Sequence, residues 1–321
     1  MCKRILVPLD GSPWAESVLP HVVAMAHAFS APVNLIQIIE QSAQTESSVS
    51  VDPFGWRLKK NEADSYLSHI KEELGSSEID VEQAVLEGRA IDQIMKFALE
   101  KAADLMVLSS YSQTETDFGR WDIGATVQRI LQRGFISTLI IRTHPSFATL
   151  PGKMIYQRLL VPLDGSRRAE AVLPTAMLLA QAFGAELLLV RVVNAPDMAR
   201  RMPLTTEENQ LVQQLIDSNS AEAEQYLAQL QTRITGQSRV RLTISDNVTA
   251  AIQEIAEQEH CDLMIMSAHG YSGSPKWPYG NVTNRFITNG TIPLLVIQDL
   301  PVENSASSVE YSDNSVRSGA R

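Results

Sequence analysis

With 321 residues, 44% of them apolar, and a formal net charge of −10, the chain has the size of about two globular domains. That acidity argues against nucleic acid as the main partner, because neutralising phosphates takes a basic surface. No apolar run approaches the roughly 20 residues that span a bilayer. The opening MCKRILVPLDGS lacks the apolar core of a signal peptide. Cys2 and Cys261 stand far apart, which disfavours a disulfide framework or a metal cluster and makes a reducing cytoplasm the simplest setting.

In chain order, Arg4 to Leu9 reads as an apolar strand ended by Asp10-Gly11-Ser12. A helix is expected over Pro13 to Phe29, with Ser12 as N-cap and Pro13 in the first turn. Val33 to Ile39 is a second strand. A polar stretch, Gln41 to Gly55, leads to a helix near Leu58 to Leu74. Val81 to Leu86 is a third strand, and Gly88-Arg89-Ala90 opens a helix running to about Ala102. Leu105 to Ser109 is a fourth strand, Gly124 to Gln132 a helix and Thr138 to Ile141 a fifth strand. Pro145 to Ile155 reads as a linker.

The chain then repeats itself. ILVPLDGS at Ile5 to Ser12 returns as LLVPLDGS at Leu159 to Ser166, and Ala15 to Pro20 matches Ala169 to Pro174. Asp104 to Ser109 matches Asp262 to Ser267. The period is one domain long, too long for a solenoid. The second copy has strands near Arg158–Leu163, Glu186–Val193, Arg239–Ile244, Leu263–Ser267 and Leu294–Ile297. Strands alternating with helices predict α/β domains, each a parallel sheet covered on both faces. The expected domains are residues 1–145 and 155–300, with a Ser- and Asn-rich tail, 301–321, too poor in apolar residues to pack.

Open sheets of this kind bind ligands beyond the carboxyl ends of their strands. Two loops of the second copy lie there. One carries Pro162-Leu163-Asp164, where Asp164 either accepts from ribose hydroxyls or caps the following turn. The other, Ser267 to Gly280, carries Gly270, Gly273 and Gly280 and runs into a helix over Asn281 to Asn289. Strand, glycine-rich loop and helix N-terminus in that order suit an anion, because backbone N–H groups can approach it closely. A glycine turn without a ligand is the plainer alternative.

These motifs resemble the universal stress proteins. ILVPLDGS and LLVPLDGS, with the AE and VLP that follow, are similar to that family's first strand and helix, and DLMIMSAHG to its nucleotide loop. The family spacing of Gly, two residues, Gly, nine residues, Gly is kept from Ser267 through Gly270 to Gly280-Asn281, with Ser267 for the first glycine and Asn281 for the final hydroxyl residue. A side chain at 267 would resist a turn needing positive φ.

The resemblance implies two tandem open parallel-sheet sandwiches of the adenine-nucleotide alpha hydrolase-like type. Each has five strands in the order 3-2-1-4-5, and the two pack as a pseudo-dimer within the chain. It implies ATP as the ligand, with or without Mg2+. Pro162, Leu163 and Asp164 would lie along the nucleoside, Val193 beside the adenine, and Met266 and Ser267 under the turn. His269, Gly270, Gly280, Asn281 and Val282 would surround the phosphates, and His269 reads otherwise as a surface loop histidine. Lys276 is either a phosphate neighbour or a solvated lysine.

The first copy departs further. Ser109-Ser110-Tyr111-Ser112 replaces the glycine turn, eleven residues separate Ser112 from Gly124, and Glu115 and Asp117 stand where phosphates would sit, with Arg120 offsetting part of their charge. Pro8, Asp10, Ile39, Ser109, Ser112, Gly124 and Ala125 therefore mark a degenerate site.

Walker A and G-x-S-x-G motifs are absent, as is a closely spaced metal-ligand set. The leading expectation is a cytoplasmic stress-response regulator that binds ATP in its second half and signals to a protein partner. The alternatives are a slow ATP hydrolase on the same fold and an interaction scaffold that binds no nucleotide.

Overall fold

The computed structural model describes residues 2–40, 53–110, 123–133, 135–142, 156–194, 205–271 and 278–299. The expected linker, the expected tail and the loop residues Ser112, Glu115, Asp117, Arg120, Gly273 and Lys276 lie outside them, save that Ile155 adjoins the described Tyr156.

The first half runs β1 (Ile5–Leu9), α1 (Pro13–Glu16), α2 (Leu19–Phe29), β2 (Val33–Ile39), α3 (Pro53–Gly75), β3 (Val81–Glu87), α4 (Ala90–Glu100), β4 (Leu105–Ser109), α5 (Ala125–Arg133) and β5 (Ser137–Ile141). The second half repeats it as β6 (Arg158–Pro162), α6 (Arg167–Glu170), α7 (Leu173–Phe183), β7 (Glu186–Val193), α8 (Thr206–Arg233), β8 (Ser238–Ile244), α9 (Val248–Gln258), β9 (Leu263–Ser267), α10 (Asn281–Asn289) and β10 (Leu294–Ile297).

Alternation along the strands explains the layers. Ile5, Val7 and Leu9 of β1 join one core with α2, α7, α3 and α8, while Leu6 joins the other with α4, α5, α9 and α10. Every residue of β4 and β9 is buried, as parallel strands covered on both faces require.

The expected single helix over Pro13–Phe29 is two helices. α1 ends at Glu16 and α2 starts at Leu19, with Pro20 in its first turn; α6 and α7 break in the same way at Pro174. Proline has no N–H to donate and its ring crowds the carbonyl four residues back, so the ladder must restart there.

The ten strands form one sheet, ordered β3-β2-β1-β4-β5-β10-β9-β6-β7-β8. Each half is parallel in the order 3-2-1-4-5, and the halves join where β10 runs antiparallel to β5. Leu294 faces Ile140, Leu295 faces Leu139 and Val296 faces Thr138. The pseudo-dimer expected from the resemblance is thus a continuous sheet. Across this seam α2 packs on α7. There the His21 Nδ1 and the fully buried Tyr156 hydroxyl are 2.6 Å apart, and the Tyr156 ring lies 5.1 Å from that of Phe183. Among the described residues no helix is long and apolar enough to cross a membrane.

Burial lowers the His21 pKa to about 4, so the ring is neutral near pH 7. Above about pH 6.5, the unfolded value, the ring is neutral in both states and costs nothing. Between 6.5 and about 4 the unfolded chain takes up a proton that the folded chain refuses, so stability falls as the pH falls. His21→Gln, which can still bond Tyr156, should therefore lose less stability than the wild type between pH 7 and pH 5, by on the order of 2 kcal/mol. Urea denaturation at the two pH values measures the difference.

Candidate functional site

The order of strands reverses between β6 and β9, and the loops leaving these two strands meet there. Asp164 follows β6. Its Oδ1 accepts the Ser166 N–H at 2.9 Å and its Oδ2 accepts the Tyr271 N–H at 2.6 Å. The carboxylate therefore fastens the first loop of this half to the glycine loop. The turn-capping alternative holds for Oδ1, while the cap of α6 itself is Ser166, whose hydroxyl accepts the Ala169 N–H at 3.1 Å. A β-carbon on Gly270 would collide with the Asp164 carboxylate, so the absence of a side chain is what permits this fastening.

Ser267 ends β9 in extended backbone. Among the described residues positive φ at a non-glycine occurs only at Ser30, Glu78, Ala102 and His260, so the expected resistance of a side chain at 267 does not arise. The Ser267 carbonyl accepts the Thr283 hydroxyl at 2.9 Å. Its own hydroxyl is buried and finds no hydrogen-bond partner among the described residues. A buried hydroxyl left so is uncommon and calls for an explanation.

His269 is 1% exposed, which corrects the surface-loop alternative. Its Nδ1 is 2.6 Å from Asp299 Oδ1, and Asp299 Oδ2 is 2.6 Å from Arg168 Nε on α6. The histidine thus ties the glycine loop to the end of β10 and to the start of the first helix of its half.

Gly280 is the N-cap of α10, has no side chain to cap with, and donates its N–H to the Ala268 carbonyl at 2.8 Å. A β-carbon there would stand 3.6 Å from that carbonyl, an ordinary contact. The packing of the described residues does not demand glycine at this position. The first-turn N–H groups of α10, at Asn281 and Val282, carry its partial positive charge.

These residues enclose one cleft of about 710 Å³. Pro162, Leu163, Asp164, Val193, Met266, Ser267, His269, Gly270, Gly280, Asn281 and Val282 all line it. So do Arg191 of β7 and Asn219, Glu222 and Tyr226 of α8, which the sequence reading missed. The signal was present: Asn219, Glu222 and Tyr226 recur at helical spacing beside the buried Ala223 and Leu227, interrupting an apolar face with polar groups. Burial, then the neighbouring Glu170, pushes the Tyr226 phenol above its ordinary range, so it stays protonated.

The first half keeps the frame. Asp10 Oδ1 accepts the Ser12 N–H at 2.9 Å and the Ser12 hydroxyl at 2.5 Å. Pro8 lies in β1, Ile39 ends β2, Ser109 ends β4 and Ala125 opens α5. Gly124 donates to the Ser110 carbonyl at 2.9 Å, as Gly280 does to Ala268. Among the described residues no group of three or more His, Cys, Asp or Glu could hold a metal ion.

Fold and cleft define a doubly wound α/β protein with a ligand-sized opening at its topological switch point. Comparison with known proteins is specific about the family. The model of the universal stress protein family matches residues 1–142 and 155–298, so the chain belongs to that family and carries its domain twice. Universal stress protein MJ0531 of Methanocaldococcus jannaschii is 26% identical over 145 residues, covering 44% of this chain and 82% of that protein. MJ0577 of the same organism is 24% identical over 157 residues, covering 44% and 96%. Among the solved structures that align over nearly the whole chain and share its fold are the following two. A universal stress protein of Archaeoglobus fulgidus has a TM-score of 0.62 at 16% identity, covering 92% of this chain and 98% of its own. The functionally unknown protein PA1789 of Pseudomonas aeruginosa has a TM-score of 0.67 at 12% identity, covering 95% of each.

The two loop glycines should respond differently to one methyl group. Gly270→Ala should cost about 1–3 kcal/mol, the usual penalty of overpacking, as the loop leaves Asp164. Gly280→Ala should stay within about 0.5 kcal/mol of the wild type. Thermal denaturation of both variants without ligand reads the contrast.

Proposed function

We propose that the second half binds ATP and that the chain is a stress-response regulator whose nucleotide state is read by a protein partner in the cytoplasm. The observation that carries this reading is the foot of α10. Gly280, which the packing of the described residues does not require, opens a helix N-terminus onto a cleft that also holds Asp164 and the Ser267 hydroxyl, itself without a partner among the described residues. A helix end of this kind favours phosphate.

In this reading Asp164 accepts from the ribose hydroxyls. Its two backbone donors leave lone pairs for that purpose and fix the carboxylate in place. Val193 borders the adenine, with Pro162 and Leu163 beside the nucleoside and Met266 under the turn. The N–H groups of Gly270, Asn281 and Val282 face the phosphates, Gly280 leaves them room, and the Asn281 amide is a further donor. The Ser267 hydroxyl gains the partner it lacks. Arg191 supplies the one arginine or lysine side chain among the described residues of the cleft wall. A Mg2+ ion carried in with the nucleotide would neutralise the remaining phosphate charge. Asp10 keeps the nucleoside end of the first half, but that half is not assigned ATP.

Mass spectrometry of small molecules released from freshly purified protein, followed by isothermal titration with ATP, tests the reading. ATP at a hundredfold excess over its dissociation constant should stabilise the fold by about 2.7 kcal/mol. Gly280→Val should abolish binding, because a branched side chain fills the space where backbone meets phosphate, and Gly124→Val should leave it unchanged. A wild-type protein that neither carries nor takes up nucleotide would reduce the cleft to an interaction scaffold.

A further inference from the structure

The last turn of α10 carries no basic residue, whereas α5, its counterpart in the first half, ends with its own Arg133. A helix C-terminus presents unpaired carbonyls and partial negative charge, which a cation relieves. For α10 that cation comes from the other half. Arg142, one residue beyond β5, donates from Nη2 to the carbonyls of Phe286 at 2.5 Å and Ile287 at 2.7 Å. The approach is close. A β-carbon on Gly290 would lie 3.2 Å from the Arg142 Nη2 and 2.6 Å from the Phe286 carbonyl, so glycine leaves the guanidinium its path.

The seam makes this contact one-sided. Leu139 and Leu295 face one another, so residues three further on, Arg142 and Gln298, are equivalent across the pseudo-twofold. Arginine stands on the side that reaches the second half's phosphate helix. The neutral Gln298 does something else: its N–H donates to the Ser137 hydroxyl at 3.1 Å, and its side-chain amide to the Pro278 carbonyl at 3.5 Å, two residues before Gly280. Both ends of α10 are therefore referred to the last strand of the first half. Nine residues of helix are only about 14 Å of rigid rod, so fixing one end places the other.

We infer that Arg142 is a positioning residue for the phosphate end of the second half's cleft: by holding the C-terminus of α10 it sets where the Asn281 and Val282 N–H groups stand. The first half, with its altered loop, thus contributes a structural part of its partner's site. This rests on the nucleotide reading above, and the experiment has one arm that does not.

In that arm, hydrogen exchange is followed on nucleotide-free wild type, Arg142→Gln and Arg142→Lys. Arg142→Gln should speed exchange at the Gly290 amide, which donates to Phe286, and also at Gly280 and Asn284, which donate to Ala268 and Gly280 at the far end. In the second arm, Arg142→Gln should weaken ATP about fivefold or more while adenosine, lacking phosphates, changes by less than about twofold. Arg142→Lys, which keeps the charge, should recover most of the ATP affinity and much of the protection. Faster exchange confined to Gly290, unchanged ATP affinity, or parallel losses of ATP and adenosine would each overturn the inference. A wild type that binds no ATP would count against the function reading, and the exchange arm would then decide the role of Arg142 by itself.

Discussion

Strand β10 pairs antiparallel with β5, and this seam is the constraint on which the rest of the molecule depends. Leu139, Ile140 and Leu295 are wholly removed from water there, and Leu294 almost so. Burying each such side chain contributes about 1.5–3 kcal/mol, an upper estimate because the unfolded chain already hides some of its surface. An apolar edge strand left open would be a template for aggregation. Duplication within one chain removes both such edges at once, at the high effective concentration that a linker provides. The outer edges, β3 and β8, are the charged ones. Glu82 of β3 pairs with Arg4 and Lys101, and Arg239 and Arg241 of β8 pair with Glu259.

Because the seam relates the halves by a pseudo-twofold, the same frame is present twice and the differences between the copies stand out. Both halves start with an aspartate whose carboxylate holds the turn after the first strand. Both close the base of the late loop with a glycine N–H on a carbonyl of the fourth-strand exit. In the second half the glycine loop is fastened to that aspartate through Tyr271, and its histidine is fastened to Asp299 and through it to Arg168. The cleft is thus built by contacts between loops that leave the carboxyl ends of β6, β9 and β10, with α8 as the outer wall. Such a wall has no counterpart in the short motifs by which the family is recognised.

Much of the architecture was already legible in the chain. The duplication, the ten strands and the position of the cleft follow from local properties: short apolar runs, glycine spacing and the aspartate that ends the first strand of each copy. The break at Pro20 and Pro174 was equally local, and it was missed because the helical pattern on either side is strong. Other features were not local. Ser267 accepts a side chain because its strand runs on in extended form to the end. His269 is buried because Asp299, thirty residues later, comes back beside it. The Tyr271 N–H reaches Asp164 across 107 residues, and Arg142 reaches Phe286 across 144.

By itself the sequence determined that this is a tandem universal stress protein, with its strands, its repeated opening loop and the glycine loop of its second copy. The tertiary structure decided what those residues touch: which hydroxyl lies buried without a partner among the described residues, which glycine their packing needs and which it leaves open, and which half supplies the cation at the end of α10. The reason is that periodicity and turn chemistry are written in neighbouring residues, whereas these contacts exist only once the sheet has brought distant segments to the same carboxyl edge and the same seam.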